Sequence, residues 1–429
     1  MTSDRLAQAL AARGVHYGWV VAGVAFLTSL TTAGAVGLPG AFILPLSKEF
    51  GWDAADISGA LAIRFLLFGL MAPFAAALIE RYGMRSMMLA AVTLVACSMA
   101  AALWMTQLWH FFLLWGVVIG LGTGLTAMVL GATMANRWFV ERRGLILGIM
   151  AAAVATGQLV FLPLAAALIE SQGWRAALVP PIVALGFIAA LVAVLMRERP
   201  VDLGLAPYGG TQIVPAPVVS GSPLAAGKRA IHLLGEASRS GTFWVLFATF
   251  FVCGLSTNGL VQTHFIPLCS DYGIGAVAAA STLAAMGLFD VVGTLGSGYL
   301  SDRYDNRWLL FWYYGLRGLS LLWLPFSGFS VYGLSLFAIF YGLDWIATVP
   351  PTARLTTAHF GVEKAPIVFG WIFAGHQIGS ALAAYGGGAS RAAFLSYMPA
   401  FAIAGAACLI AAGLIVLLAD HRKPKPAIA

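Results

Sequence analysis

Twelve apolar runs of membrane-spanning length leave this chain little choice of solvent. Bounded by charges or turn residues, they cover about 17–41, 56–79, 86–105, 109–135, 145–168 and 175–196, then about 242–267, 276–300, 308–327, 331–353, 366–389 and 397–419. About 20 helical residues cross a hydrocarbon layer. Backbone in lipid must satisfy its own hydrogen bonds, which limits spanning chains to helices and closed barrels. The pattern predicts an all-α membrane protein with twelve transmembrane helices. Only 10% of the 429 residues are charged, against about 25% in soluble domains. The net charge of +7 is dispersed over loops without a basic stripe, so no nucleic-acid partner is expected.

The chain is also a duplication. Leu78-Ile79-Glu80-Arg81-Tyr82-Gly83-Met84-Arg85 has a near copy, 222 positions on, at Leu300-Ser301-Asp302-Arg303-Tyr304-Asp305-Asn306-Arg307, and both follow an apolar run. A repeat at half-length predicts two pseudo-symmetric six-helix bundles, 1–196 and 242–429, the organisation of a secondary transporter. The stretch 197–241, with five prolines and several Gly and Ser, reads as a linker. With both termini on one face, nineteen Lys and Arg fall on that face and three (Lys48, Arg175, Arg391) on the other. The excess predicts cytoplasmic termini in a cytoplasmic membrane. Residues 1–15 lack the apolar core of a cleavable signal peptide. The four cysteines lack ligand spacing, so neither a metal site nor a disulfide is expected. Glycines within spans predict close helix packing. Gly34, Gly37, Pro39 and Gly40 predict irregular backbone in span 1 beside the solute route.

The twin loops resemble the loops between spans 2 and 3, and 8 and 9, of the major facilitator superfamily, with their Gly-x-Leu-x-Asp-Arg-x-Gly-x-Arg pattern. In the first copy Arg81, Gly83 and Arg85 match, while Ala76 and Glu80 replace the leading glycine and the aspartate. In the second, Gly298, Leu300, Asp302, Arg303 and Arg307 match, and Asp305 replaces the inner glycine. The resemblance implies an inner gate latched by these acids and arginines, with Arg142 and Arg143 beside them. The complementary losses imply two latches of unequal strength.

Trp138-Phe139-Val140-Glu141-Arg142-Arg143-Gly144-Leu145, continuing to Gly148, Ala152 and Gly157, is similar to the span-5 signature of the monocarboxylate transporter group. His16-Tyr17-Gly18-Trp19-Val20 resembles the opening motif of that group and of the related oxalate–formate exchangers, without the acid of the animal members. The Gly-Pro-x-x-Gly-Gly run of drug–proton antiporters is absent.

Four ionisable residues fall within spans: Arg64, Asp290, Arg317 and Asp344. Each costs about 2.5–3.5 kcal/mol at mid-membrane on insertion scales, so unpaired ones are rare. Asp290 lies twelve residues before Asp302, about 18 Å along a helix. In the monocarboxylate group an aspartate in span 8 precedes, by four residues, an arginine that holds the substrate carboxylate. Asp290 matches the aspartate, but Thr294 stands at the arginine position. Two readings stay open. Arg317 serves in its stead, or Arg317 is structural, paired with Asp290 or Asp344, and Arg64 contacts the anion. Asp290 and then Asp344 are the candidates for a coupling proton. Asn258 and Gln262 at i, i+4 spacing share a face of span 7, with His264 near its outer end, and His376 and Gln377 lie mid-span in span 11. These polar groups complete the candidate substrate site.

No P-loop, HExxH, CxxC pair or nucleophile elbow is present, so no enzyme and no cofactor are expected. The partners expected are a small anionic solute, protons and membrane lipid. The reading is a secondary transporter of a small organic anion, a monocarboxylate by resemblance, coupled to protons or to exchange. Its rivals are an exporter of drug-like or amphipathic compounds and a transport-inactive sensor of the same fold.

Overall fold

In the computed structural model every predicted span has a helix in its place. The structure describes residues 2–125, 128–213, 223–361 and 363–418. Span 1 is Gly18–Gly37 continued by Pro39–Phe50, span 2 Ala54–Tyr82, span 3 Met84–Ala102, and span 4 Leu108–Gly124 with Met128–Trp138. Spans 5 and 6 are Arg143–Gln172 and Trp174–Leu195. The second half holds span 7 Gly241–Asp271, span 8 Ala276–Ser301 and span 9 Asn306–Trp323. Span 10 is split into Val331–Leu343 and Val349–Phe360; span 11 is Ala365–Phe394 and span 12 Met398–Val416. Among the described residues nine of these are long and apolar enough alone to cross a membrane. Span 4 contains a π-helical turn at Phe112–Val118, span 10 is broken, and span 9 carries Arg307 and Arg317.

Two sharp reversals are set by glycine. Gly83 (φ 87°) and Gly173 (φ 88°) end spans 2 and 5 in the left-handed region and start the next helices, a conformation that costs a residue with Cβ more.

The cluster Gly34–Gly40 does not unwind span 1. Leu38 keeps helical dihedrals (φ −69°, ψ −28°) and Pro39 opens the next helix at its first turn, where a missing N–H is harmless. The small residues serve approach instead. A side chain at Gly157 of span 5 would run into the Leu30 carbonyl of span 1, and one at Gly40 would lie 2.8 Å from the Gln262 and Thr263 carbonyls of span 7.

Arg81, Arg85, Arg303 and Arg307 share one end of the bundles, called the basic face below. Spans 2 and 11 touch along their length, from Gly388 beside Ala54 to Phe74 against Trp371 at 6.1 Å. Spans 5 and 8 meet at Leu295 opposite Gly148 and at Glu170 opposite Val277. At the far face, one apolar core joins both halves. At the basic face the second half has a core of its own, with Phe243, Leu246, Phe250, Tyr314, Leu355 and Ile372.

The linker is more ordered than its composition implies. Met196 to Gly210 packs on the first half: Tyr208 N–H donates to the Trp138 carbonyl at 2.8 Å and the Tyr208 carbonyl accepts from Val140 N–H at 2.9 Å. A helix, Pro223–Ala237, buries Ala230, Leu233 and Ala237. It lies over the seam of spans 2 and 11, with Gly227 facing Phe74 and Trp371 Nε1 donating to the Ala230 carbonyl at 2.9 Å. Lys364 pairs with Glu236 and its hydrogen bond holds that carboxyl below its ordinary value. The tie is therefore intact at neutral pH and is lost as pH falls through the lowered value.

Crossings built on missing side chains predict an uneven tolerance for alanine. Gly157→Ala is expected to destabilise by about 1–3 kcal/mol, as overpacking does. Gly186→Ala, at a position with open space around it, is expected to be neutral or slightly stabilising. Thermal unfolding of the two purified variants in detergent checks the contrast.

Candidate functional site

Arg64 is set by its place on span 2. Gly120 of span 4 lies against its backbone, and one turn on, Phe68 meets Phe373 of span 11 edge-on at 5.5 Å. The side chain thus leaves the helix between the face that packs on span 4 and the face that meets the second half. It is 3% exposed. Nη1 donates to the Val36 carbonyl of span 1 at 2.6 Å and the guanidinium sits 4.4 Å from the Phe65 ring centre, while Nε has no partner. No carboxylate pairs with it among the described residues.

The other three intramembrane charges gather in the second half. Arg317, 1% exposed, donates from Nε to Asp344 Oδ2 at 2.9 Å, from Nη1 to Cys253 Sγ at 3.0 Å, and from Nη2 to the Asp344 and Trp345 carbonyls. Of the two carboxylates left open as its partner, Asp344 is the one it meets. Asp290 pairs with no cation among the described residues. Its Oδ1 accepts from Thr294 Oγ1 at 3.0 Å and from Ile346 N–H at 2.8 Å. Thr294, at the family's arginine position, has become a hydroxyl donor to that aspartate.

The polar candidates of spans 7 and 11 separate into two groups. Both side-chain heads of Gln377 are buried without partners where span 11 crosses Gly69 of span 2. His376 stacks on Phe373 and leans on Phe250, with Nδ1 buried and unpartnered. Asn258, in the π-helical turn Leu255–Val261, and Gln262 are half-buried. His264 stands apart: its ring fills the space left by Gly387, lies 5.2 Å from Tyr397, and donates from Nε2 to the Ala384 carbonyl at 2.7 Å. Those contacts lie where spans 7 and 11 cross. Thr28 bonds back to the Val24 carbonyl, as span hydroxyls do.

At the basic face the repeated arginines do the same work twice. Arg85 Nη2 donates to the Ala193 carbonyl at the end of span 6, and Arg307 Nη1 to the Leu418 carbonyl, beyond span 12, at 2.6 Å. Each fastens its loop to the C-terminal end of its own bundle, where a cation suits the helix dipole. The acids differ. Asp305 caps span 9, accepting from Arg307 N–H at 2.9 Å, and Asp302 pairs with Arg354 on the basic-face part of span 10. In the first half the corresponding acid is Glu198, which sequence reasoning missed. Its Oε2 and Oε1 accept from Met84 and Arg85 N–H at 2.6 and 2.8 Å, capping span 3, and it pairs with Arg137 of span 4 at 3.2 Å. The bonds described for Arg85, Asp302 and Arg307 stay within their own halves, where a latch between bundles was expected. Arg81 is exposed, Arg303 lies over the Tyr299 ring at 4.0 Å, and Arg142 faces Tyr208 at 5.8 Å. The side chains of Glu80 and Arg143 lie outside the described residues.

A family model for the Major Facilitator Superfamily matches residues 24–384 and 270–429. The chain belongs to the Major Facilitator Superfamily. Monocarboxylate transporter 13 of Bos taurus is 27% identical over 406 residues, 94% of this chain and 89% of its own. The uncharacterized MFS-type transporter YcxA of Bacillus subtilis is 24% identical over 397 residues, 90% of this chain and 91% of its own. The partially occluded inward open structure of the xylose transporter XylE from E. coli superposes with a TM-score of 0.68, covering 94% of this chain and 100% of that one, at 13% identity, a likeness of fold alone. This is a multi-pass membrane transporter, and the expected two-bundle, twelve-helix architecture holds.

The two motifs that resemble the monocarboxylate group turn out to be one contact in this transporter. His16 and Tyr17 meet Trp138 at 6.5 and 6.1 Å, Trp19 meets Phe139 at 5.4 Å, and Tyr208 of the linker touches His16, Trp19 and Phe139. Neither motif touches Arg64 or the polar candidates of spans 7 and 11 through any ring contact described.

Fastenings that act inside separate halves predict additive losses. Arg85→Ala and Arg307→Ala should each destabilise by about 1.5–3 kcal/mol, the scale of charged hydrogen bonds. The double variant should lose their sum to within about 0.5 kcal/mol. A strongly non-additive pair in thermal or denaturant unfolding would speak for a latch across the bundles.

Proposed function

We propose that this transporter carries a small organic anion, a monocarboxylate above all, by alternating access, with Arg64 as its charge contact. The observation that carries the reading is Arg64 itself: a buried guanidinium at the seam of the bundles, with one carbonyl as partner and no counterion among the described residues. A buried cation without compensation is costly, and a bound carboxylate would supply two acceptors in the fork geometry that guanidinium prefers. Identity near 25% to monocarboxylate transporters across most of the chain supports the same solute class. Gln377 and His376, with buried polar atoms unspent, complete the site from span 11, and Asn258 and Gln262 line its span-7 side. His264 and Arg317 are assigned to packing and structure.

Coupling follows from charge. A monoanion that binds Arg64 and crosses carries one negative charge, and a membrane potential opposes that step in one direction. A proton taken with it, or an anion returned, cancels the charge, so the cycle is proton-coupled or an exchange. The basic face is proposed to be cytoplasmic, with both termini there, and the bundles to be 1–196 and 242–429 joined by 197–241. The second half has its own core at that face, while the far face is sealed by a shared core and the span 1 to span 7 contact at Gly40. Separation at the basic face is the smaller change, and Asp302, Arg303 and Arg354 with Glu80, Arg81, Arg142 and Arg143 lie where it would occur.

Uptake of labelled lactate and pyruvate into proteoliposomes, with and without a pH gradient and with anion preloaded inside, tests the proposal. Accumulation is expected under one of the two gradients. Arg64→Gln should weaken apparent affinity about 10–100-fold, the loss of one or two charged hydrogen bonds, and Arg64→Lys less. Equal carboxylate transport by Arg64→Gln would remove the assignment. Movement of lipophilic cations alone would favour the exporter.

A further inference from the structure

Span 10 is broken where a continuous helix was expected over 331–353. The cause is in the sequence: Pro350 and Pro351 have no N–H, so the carbonyls four residues earlier, of Ile346 and Ala347, lose their helical donors. The segment Asp344 to Thr348 turns between Val331–Leu343 and Val349–Phe360. Trp345 N–H goes to the Gly342 carbonyl and Val349 N–H to that of Ile346, each three residues back. This leaves four backbone groups for side chains. The carbonyls of Asp344 and Trp345 accept from Arg317 Nη2 of span 9. Ile346 N–H donates to Asp290 Oδ1, and the Ala347 carbonyl accepts from Ser297 Oγ at 2.5 Å, both on span 8.

The helix crossing is shaped for this. A side chain at Gly293 of span 8 would run into the Leu343 carbonyl, and one at Gly342 would lie 2.6 Å from the Met286 carbonyl. Two glycines facing opposite backbones bring span 8 close enough for short side chains to reach the break. Asp290 and Ser297, seven residues apart, lie on one side of span 8 above and below Gly293. Thr294 Oγ1 holds Asp290 Oδ1 from the same helix.

We propose that Asp290 and Ser297 are positioning residues for the break in span 10: Ser297 replaces the donor that Pro351 denies the Ala347 carbonyl, and Asp290 accepts the Ile346 N–H that the turn leaves without a helical acceptor. Asp290 acts here as a backbone acceptor. Its oxygen does the work, its charge does not, and Arg317 completes the cap from span 9. Held this way, span 10 is two rods with a stable joint, and its basic-face rod carries Arg354, the partner of Asp302. The inference is independent of what solute the protein carries.

The test uses the full-length protein in detergent or nanodiscs and needs no solute. Amide hydrogen exchange is read on peptides covering 342–349, with melting temperature alongside. Asp290→Asn keeps an acceptor oxygen and should retain near-wild-type protection and melting. Asp290→Ala should speed exchange at Ile346 about tenfold or more through local opening. Ser297→Ala should lower the melting temperature, and this loss should largely vanish in a Pro351→Ala background, where residue 351 regains an N–H for the Ala347 carbonyl. Equal loss of protection in Asp290→Asn and Asp290→Ala would overturn the proposal, since charge would then be what matters. So would a Ser297→Ala cost unchanged by Pro351→Ala. If Asp290→Ala does not fold, the Asp290→Asn exchange and the Ser297–Pro351 cycle still decide.

Discussion

No water is available at mid-membrane to take up a freed amide, so each backbone group that a helix break exposes must find a protein partner. In this transporter that constraint organises the second half. The break at the proline pair exposes four backbone groups in span 10, and the nearest helices answer with a guanidinium, a carboxylate and a hydroxyl. Arg317 is buried at a cost that a single ion pair does not always offset. It carries that cost because four acceptors converge on it: a carboxylate, two freed carbonyls and the Cys253 sulfur. The break and the buried charges explain each other. An unbroken span 10 would leave the Arg317 donors short of acceptors, and an apolar residue at 317 would leave two buried carbonyls unpaired.

Close approach is the second constraint, because lipid tails give helices no hydrophobic reason to associate. Backbone-to-backbone contacts through Gly40 and Gly157 bind spans 1, 5 and 7, and those through Gly293 and Gly342 bind spans 8 and 10, the two parts of a packing frame. The frame is asymmetric along the membrane normal. Parting the shared core would expose its apolar area, so in the proposed cycle separation at the basic face is the smaller change. The duplicated loops fit that asymmetry. Their arginines tie each loop to the end of its own last span.

Much of this was legible in the sequence. Span positions depend on local composition, and the repeat, the basic face and the four mid-span charges could be read directly. Pairing could not. Asp290 and Asp344 offered Arg317 equal chemistry, and only the packing of spans 8, 9 and 10 tells which carboxylate meets it. The break was written in Pro350-Pro351, after Asp344, within a run apolar enough to read as one helix. Glu198 was hidden for another reason: between Arg197 and Arg199 it looks like part of a topology signal, and its work depends on spans 3 and 4 meeting the end of span 6. The irregular backbone expected at Gly34–Gly40 failed because those residues answer a packing need, which leaves the same signature as a flexible one. The helix Pro223–Ala237 gains its burial only from the seam it covers, which proline and glycine counts do not register.

The two halves treat charge in opposite ways, and the difference bears on the site. In the second half every mid-span charge is committed: Arg317 to Asp344 and the span 10 carbonyls, Asp290 to Ile346 and Thr294. In the first half Arg64 has one carbonyl and an aromatic face. A permanent carboxylate beside it would lower the cost of burial but would compete with any arriving anion through direct charge attraction. The Val36 carbonyl orients the guanidinium while leaving its full charge uncompensated, and in a low-dielectric seam that charge acts over a longer range than it would in water. A solute site must also release what it binds. A cation stabilised too well when empty would bind weakly, and one with several further charged neighbours would not let go. In the proposed site one oriented guanidinium against an aromatic face, with amide and imidazole groups unspent on span 11, sits between those limits.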